Sequence, residues 1–313
     1  MDVILNILPV FLVIFLGAGI KWLGFFSDTF VKEANRLVFF IGIPALLFVK
    51  LSQAPFHKTF DLNLAVISCF SIFAIWVLSL LAVRFRLLRT ENSSQSASFV
   101  QASMHGNIGY IGFAVIFFVF GDNGINIAGF LATFIILTQN ILSVLSFNIF
   151  SGGTGKKSGS LLSALKNIIV NPIIISSITG IIFSFYDLKL PCFLTRSLEI
   201  VSSMSLPIAL LIIGSSLSLS LLSQSFFRLF SSSLLKLLFL PGIGVILLIK
   251  SGAPIFSIEI ATILLGVPTA TVSVIMSGEM NGDPGFASSA VTLSTLLSIL
   301  TLCFWVSLIS FFF

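Results

Sequence analysis

Two stretches of this sequence combine polar side chains with residues that interrupt a helix. The first, Met104–Gly112, reads MHGNIGYIG and contains three glycines. The second, Gly266–Ser273, reads GVPTATVS and contains Pro268. Glycine weakens a helix by about 1 kcal/mol relative to alanine, and proline removes a main-chain donor. Each stretch therefore predicts a helix that is interrupted near its middle.

Main-chain groups that an interrupted helix leaves unpaired could hold a small charged solute. The amino end of a half-helix has about half a positive charge and attracts an anion, whereas the carbonyl end could coordinate a cation. Side-chain amide and hydroxyl groups would orient the solute by hydrogen bonds. The candidate substrate-binding residues are Gly106, Asn107, Ile108, Gly109, Pro268, Thr269, Ala270, Thr271 and Ser273. The alternative is that the small residues only let helices pack closely.

Three further polar residues lie in apolar surroundings. His105 could carry a proton, because a histidine with its ordinary pKa of about 6.5 titrates near neutrality. It could equally be a neutral packing residue that makes a hydrogen bond. Gln139 and Asn140 are costly in lipid, so we expect them to face the interior of a helix bundle. There they would either contact the substrate or join two helices.

The chain that positions these residues has the composition of a membrane protein. Of its 313 residues, 57% are hydrophobic and 9% are charged, against roughly 25% charged in soluble domains. Continuous apolar runs without the alternation of a membrane barrel predict spanning helices. We expect an all-α integral membrane protein with ten spans, approximately 3–23, 30–50, 62–84, 95–119, 124–149, 163–185, 194–220, 231–250, 257–280 and 286–311.

Basic residues predict how these spans are oriented. Of the 16 Lys and Arg residues, eleven lie around the connections after spans one, three, five and seven, and Lys236 is one of the eleven. Cytoplasmic connections are enriched in basic residues. We therefore expect these connections in the cytoplasm and both termini outside.

The middle of the chain predicts a division into two halves. Residues 151–160 read SGGTGKKSGS, a composition typical of a flexible connection. We assign 1–150 to a first five-helix repeat, 151–162 to a flexible cytoplasmic linker and 163–313 to a second repeat. An odd number of spans per half requires the second repeat to be inverted. At a constant offset of 163 residues, Pro9 falls on Pro172.

Three motifs follow one another in the order of a known family. They are Asn35–Phe48, NRLVFFIGIPALLF, then Gly106–Gly112, GNIGYIG, and finally Pro268–Ala270 with Glu279–Pro284, EMNGDP. Together they resemble the auxin efflux carrier family, which includes bacterial permeases linked to malate or malonate and plant PIN-type auxin exporters. The resemblance covers essentially all ten spans.

This resemblance implies a fold and a substrate site. The fold would be two inverted five-helix repeats with scaffold and transport domains. Broken helices four and nine would cross at the substrate site, with Asn107 at the first crossover and Pro268 at the second. Family members commonly have a proline shortly after the glycine motif of the fourth span, where this chain has Phe113 and Ala114. The expected location is a bacterial inner (cytoplasmic) membrane.

Together these features predict a secondary transporter of a small organic anion. The substrate would be an auxin- or malate-like mono- or dicarboxylate that moves by alternating access, and protons, sodium or the membrane potential alone would drive the transport. The alternatives are a sodium-coupled organic anion symporter, a membrane-embedded sensor or receptor that binds without moving its ligand, and a channel. The sequence has no P-loop or HExxH motif, so we expect no enzyme, no catalytic residue, no cofactor and no metal. We expect no nucleic-acid partner. The sequence leaves open whether the chain forms a homodimer.

Overall fold

The computed structural model describes residues 2–55, 61–85, 92–150, 170–217 and 226–312. In these ranges the regular structure is helical and contains no β-strand, as the sequence predicts. Helices α1 to α14 run in chain order through Asp2–Trp22, Asp28–Leu37, Ile43–Gln53, Leu62–Arg84, Ser93–Met104, Phe113–Phe150, Pro172–Phe185, Cys192–Ser203, Ser205–Ser215, Phe226–Leu234, Leu240–Lys250, Ile255–Gly266, Val272–Glu279 and Pro284–Phe312. Wider π-helical turns at Val38–Gly42, Ile108–Gly112 and Leu235–Phe239 precede α3, α6 and α11.

Several helical stretches are suited to crossing a bilayer. In the part of the chain that the structure describes, seven are long and apolar enough, namely Leu5–Trp22, Asp28–Gln53, Leu62–Arg84, Ile108–Phe150, Cys192–Ser215, Phe226–Lys250 and Pro284–Phe311. Helices α7 and α12 are apolar but shorter. The chain is thus an integral membrane protein, and the arrangement of ten spans in inverted repeats stays a prediction. The expected linker 151–162 lies outside the described residues.

Helix α6 is interrupted between the predicted fourth and fifth spans. Its 38 residues would extend about 57 Å as one straight helix, against a hydrocarbon core of about 30 Å. Gly121 lies in the left-handed region at φ 61° and ψ −151°, a conformation that glycine adopts without a steric penalty. The chain can therefore change direction at this residue.

Two π-helical turns lie directly before prolines. Pro44 and Pro241 are at the starts of α3 and α11. A proline donates no main-chain hydrogen bond, and its ring clashes with the carbonyl four residues back. The carbonyl of Leu237, four residues before Pro241, accepts instead from Nε1 of Trp305 at 2.9 Å. This tertiary bond supplies the partner that proline removes.

Contacts divide the chain into two compact units. Unit A comprises Met1–Leu62, Gly109–Phe134 and Ile169–Ser216, and unit B comprises Asn63–Ile108, Ile135–Ile168 and Leu217–Phe313. Each unit therefore contains segments from both halves of the chain. The first interruption lies close to the end of one unit B segment, and the second lies inside another.

Unit A is held together by helices that approach closely at glycines. Helix α1 packs on α9, and α3 packs on α7. A Cβ atom added at Gly214 would lie 1.8 Å from the carbonyl oxygen of Ile14. One added at Gly17 would lie 2.2 Å from the carbonyl oxygen of Leu211. Only glycine allows the two backbones to come this close.

Unit B contains both interruptions. Helix α12 packs on α11 and α14, while α5 packs on α10, α13 and α14. An apolar cluster that includes Phe99, Leu229 and Phe286 fills the space between α5, α10 and α14. The hydroxyl of Ser98 also lies 3.1 Å from that of Ser277, which joins α5 to α13. These contacts hold the helices next to the two interruptions together within unit B.

Candidate functional site

The two predicted interruptions are present in unit B. Helix α5 ends at Met104, and His105 is extended at φ −87° and ψ 105°. Helix α12 ends at Gly266, and Val267 is extended at φ −63° and ψ 151°. Helical structure resumes only at Ile108 after the first break and at Val272 after the second. Both breaks lie within the stretches that glycine and proline mark in the sequence.

The interrupted segments bind one another through their main chains. Gly106 and Thr269 form an isolated antiparallel bridge. The N–H of Asn107 donates to the carbonyl of Pro268 at 2.8 Å, and the N–H of Ala270 donates to the carbonyl of His105 at 3.0 Å. Main-chain groups that would otherwise be unpaired in an apolar environment are satisfied in this way.

Side chains close the carbonyl end of α5. Nε2 of Gln139 donates to the carbonyl of Met104 at 3.1 Å, and the hydroxyl of Thr269 donates to the carbonyl of Ala102 at 3.0 Å. The N–H of Thr269 donates in turn to the hydroxyl of Ser294 at 3.0 Å. Gln139 therefore joins two parts of unit B, one of the two roles that the sequence left open.

His105 is buried beside the first break. Its Nδ1 lies 2.9 Å from the hydroxyl of Ser143 on α6. The ring is thus held by a neutral partner on a neighbouring helix. This contact fits the packing role, and the role as a proton carrier stays a prediction.

Three buried polar atoms at or beside the breaks have no partner among the described residues. They are Nδ2 of Asn107, a residue that is 6% exposed, Oε1 of Gln139 and the hydroxyl oxygen of Ser273, both in fully buried residues. A buried polar group without a hydrogen bond costs about 1–3 kcal/mol. Such atoms are suited to a ligand, and Asn107 specifically offers an N–H donor to an acceptor.

The remaining candidates differ in their surroundings. Ile108 and Ala270 are buried and apolar, whereas Asn140 and Thr271 are partly exposed. Gly109 lies at the start of a unit A segment, where a Cβ atom would be 3.6 Å from Ile173. Within the described ranges, no group of three or more His, Cys, Asp or Glu side chains is placed to hold a metal ion.

Lys236 is a residue of this site that the sequence analysis missed. It was counted with the cytoplasmic connections, but it lies in the turn Leu235–Phe239 and is fully buried. That assignment is wrong, because its Nζ is held within unit B by the carbonyl of Leu265 at 2.5 Å. A lysine in the apolar run SLLKLLFLP is the signal that could have identified it.

The chain is related to known proteins along nearly its whole length. A family model described as "Membrane transport protein" matches residues 2–306. The chain belongs to this family. It is the auxin efflux carrier family that the three motifs resemble. Members of this membrane transport protein family are named as transporters, which agrees with the expectation that the chain is not an enzyme.

Named relatives of this membrane transport protein come from archaea and bacteria. An "Uncharacterized transporter" of Methanothermobacter thermautotrophicus is 25% identical, and the match covers 96% of both chains. A "Putative malonate transporter" of Rhizobium meliloti is 23% identical over 94% of this chain and 92% of its own length. The "Uncharacterized transporter YfdV" of Escherichia coli is 22% identical over 96% of both chains.

Proposed function

We propose that the protein is a secondary transporter of a small organic anion, a mono- or dicarboxylate, with its substrate site at the two interrupted helices of unit B. The observation that supports this most directly is the buried, unpartnered Nδ2 of Asn107 beside the main-chain bridge. A carboxylate oxygen is a suitable acceptor for this donor. The name of the Rhizobium relative, "Putative malonate transporter", makes malonate a reasonable first substrate to test.

The amino end of α13 supplies a second attraction for an anion. This helix begins at Val272, directly after the second break. The N–H groups of Ser273 and Val274 donate to the carbonyls of Ala270 and Thr271, so the attraction comes from the partial positive charge at the amino end of the helix. The carboxylate would therefore accept from Asn107 on one side and lie near the amino end of α13 on the other.

Transport would proceed by alternating access. In this mechanism the site is open first to one side of the membrane and then to the other. The main-chain bonds between the breaks would let the two interrupted segments stay together during the change. Both termini are proposed to lie outside, and a reporter fused to the carboxyl terminus would be accessible from outside intact cells.

An alanine replacement at Asn107 tests the substrate site. Because a hydrogen bond to a charged group contributes about 1.5–3 kcal/mol, Asn107→Ala should raise the Kd for malonate about 10- to 150-fold. The measurement is isothermal titration of purified protein. Asn63→Ala is the matched control, because Asn63 is exposed on α4.

Proteoliposome uptake of labelled malonate then separates transport from sensing. A transporter with the proposed site accumulates malonate, and Asn107→Ala slows the uptake at subsaturating concentration. A sensor would bind malonate without uptake. Equal affinity in the folded Asn107→Ala variant and the wild type would remove Asn107 from the proposed site.

A further inference from the structure

Lys236 is a buried lysine to which the proposed function has so far assigned no role. It lies within the 25-residue span Phe226–Lys250, and its side chain is fully buried. A charged side chain at the centre of a bilayer is costly and usually has a function. Neither the ion pair of Lys21 with Asp28 nor that of Lys50 with Asp122 includes Lys236. Its charge is therefore not balanced by a carboxylate of one of these pairs.

The ammonium lies at the carbonyl end of an interrupted helix. Its Nζ donates to the carbonyl of Leu265 at 2.5 Å, and α12 ends at the next residue, Gly266. The last carbonyls of a helix have no intrahelical partner and bear a partial negative charge. In transporters with broken helices, such ends coordinate sodium or protons. Lys236 thus occupies a place that is suited to a coupling cation.

The same ammonium faces the other interruption. A Cβ atom added at Gly106 would lie 3.1 Å from Nζ of Lys236. His105, which directly precedes Gly106, is the titratable group on the segment that faces Lys236. Asn107 follows directly in the chain. A positive charge is therefore adjacent to the place proposed for the carboxylate.

We propose that Lys236 is the resident cation of the carboxylate site, in the place that a coupling metal ion would otherwise take. This inference rests on the proposed function. A bound carboxylate balances the charge of the ammonium, and the ammonium balances that of the carboxylate, so that neither charge is buried alone. Because the cation is part of the chain, carboxylate binding does not require sodium.

The first test compares salts on the wild-type protein. Malonate binding to purified protein is measured by isothermal titration in sodium chloride and in choline chloride at equal ionic strength. The two Kd values should agree within about twofold. A Kd that is tenfold or more weaker in choline would overturn the inference, and this measurement needs no variant.

The second test removes or keeps the charge at position 236. Lys236→Met should weaken malonate binding about tenfold or more, because a charge-assisted hydrogen bond or ion pair is lost. Lys236→Arg keeps a positive charge and should bind more tightly than Lys236→Met. Lys250→Met is the matched control, since Lys250 is exposed at the end of α11. Size-exclusion chromatography and melting temperature identify variants that do not fold.

The outcomes distinguish this inference from the proposed function. A folded Lys236→Met variant that binds malonate as the wild type does would overturn the inference alone. A wild type that binds no carboxylate in either salt would overturn the proposed function, and the inference with it. If Lys236→Met does not fold, the comparison of salts on the wild type decides.

Discussion

Gly106 is the position where one added methyl group should disturb the candidate site most directly. A Cβ atom there would lie 2.8 Å from Cγ2 of Val267, and 3.1 Å from both Cε and Nζ of Lys236. Val267 is fully buried and β-branched, so its side chain has little freedom to move away. A shift of Lys236 would strain its 2.5 Å bond to Leu265. A shift of the main chain would strain the bridge to Thr269.

The cost of Gly106→Ala can be estimated from this crowding. Overpacking of a buried site typically costs about 1–3 kcal/mol. If this cost falls on the conformation that binds malonate and not on the other conformations, the Kd for malonate should rise about 5- to 150-fold. The chain should still fold, because the crowding is confined to one Cβ atom in unit B.

The assay is isothermal titration of purified Gly106→Ala with malonate. Gly278→Ala is the matched control, because a Cβ atom there would be 3.7 Å from Pro284, an ordinary contact distance. Gly278→Ala should bind as the wild type does. An unchanged Kd in a folded Gly106→Ala variant would refute the reasoning, since it would show that the bridge is not coupled to the ligand site.

Two predictions concern stability. Trp305→Phe leaves the carbonyl of Leu237 without its 2.9 Å partner, so unfolding should become about 1–3 kcal/mol easier. Melting temperature in detergent checks this, and Trp22→Phe, at a residue that is 87% exposed, should have almost no effect. Gly214→Ala would place a Cβ atom 1.8 Å from a carbonyl oxygen of α1, and size-exclusion chromatography should show aggregated protein. Gly19→Ala meets nothing within 4 Å and should elute as the wild type does.

The interruptions could be predicted from sequence because their cause is local. Three glycines in Met104–Gly112 and Pro268 in Gly266–Ser273 weaken a helix wherever that helix lies. The all-helical class could also be predicted, because it follows from the apolar composition of the chain. The bridge between Gly106 and Thr269 joins residues far apart in the chain, so its partners could not be read from either stretch alone.

Lys236 was missed because its role depends on a tertiary partner. A count of basic residues treats every lysine near the end of a span as part of a connection. The carbonyl of Leu265, which accepts from Lys236, is available only because α12 ends at Gly266. The contact of Gln139 with Met104 could not be predicted from the sequence either, because it follows from packing within unit B.

The measurement that tests the proposed transport most directly is counterflow in proteoliposomes. Vesicles that contain purified protein are loaded with unlabelled malonate and diluted into a trace of labelled malonate. A carrier that alternates between the two sides of the membrane takes up label transiently above its external concentration, and loading with a neutral solute abolishes this overshoot. Entry of label that never exceeds equilibrium, or no entry at all, would contradict alternating access by this protein.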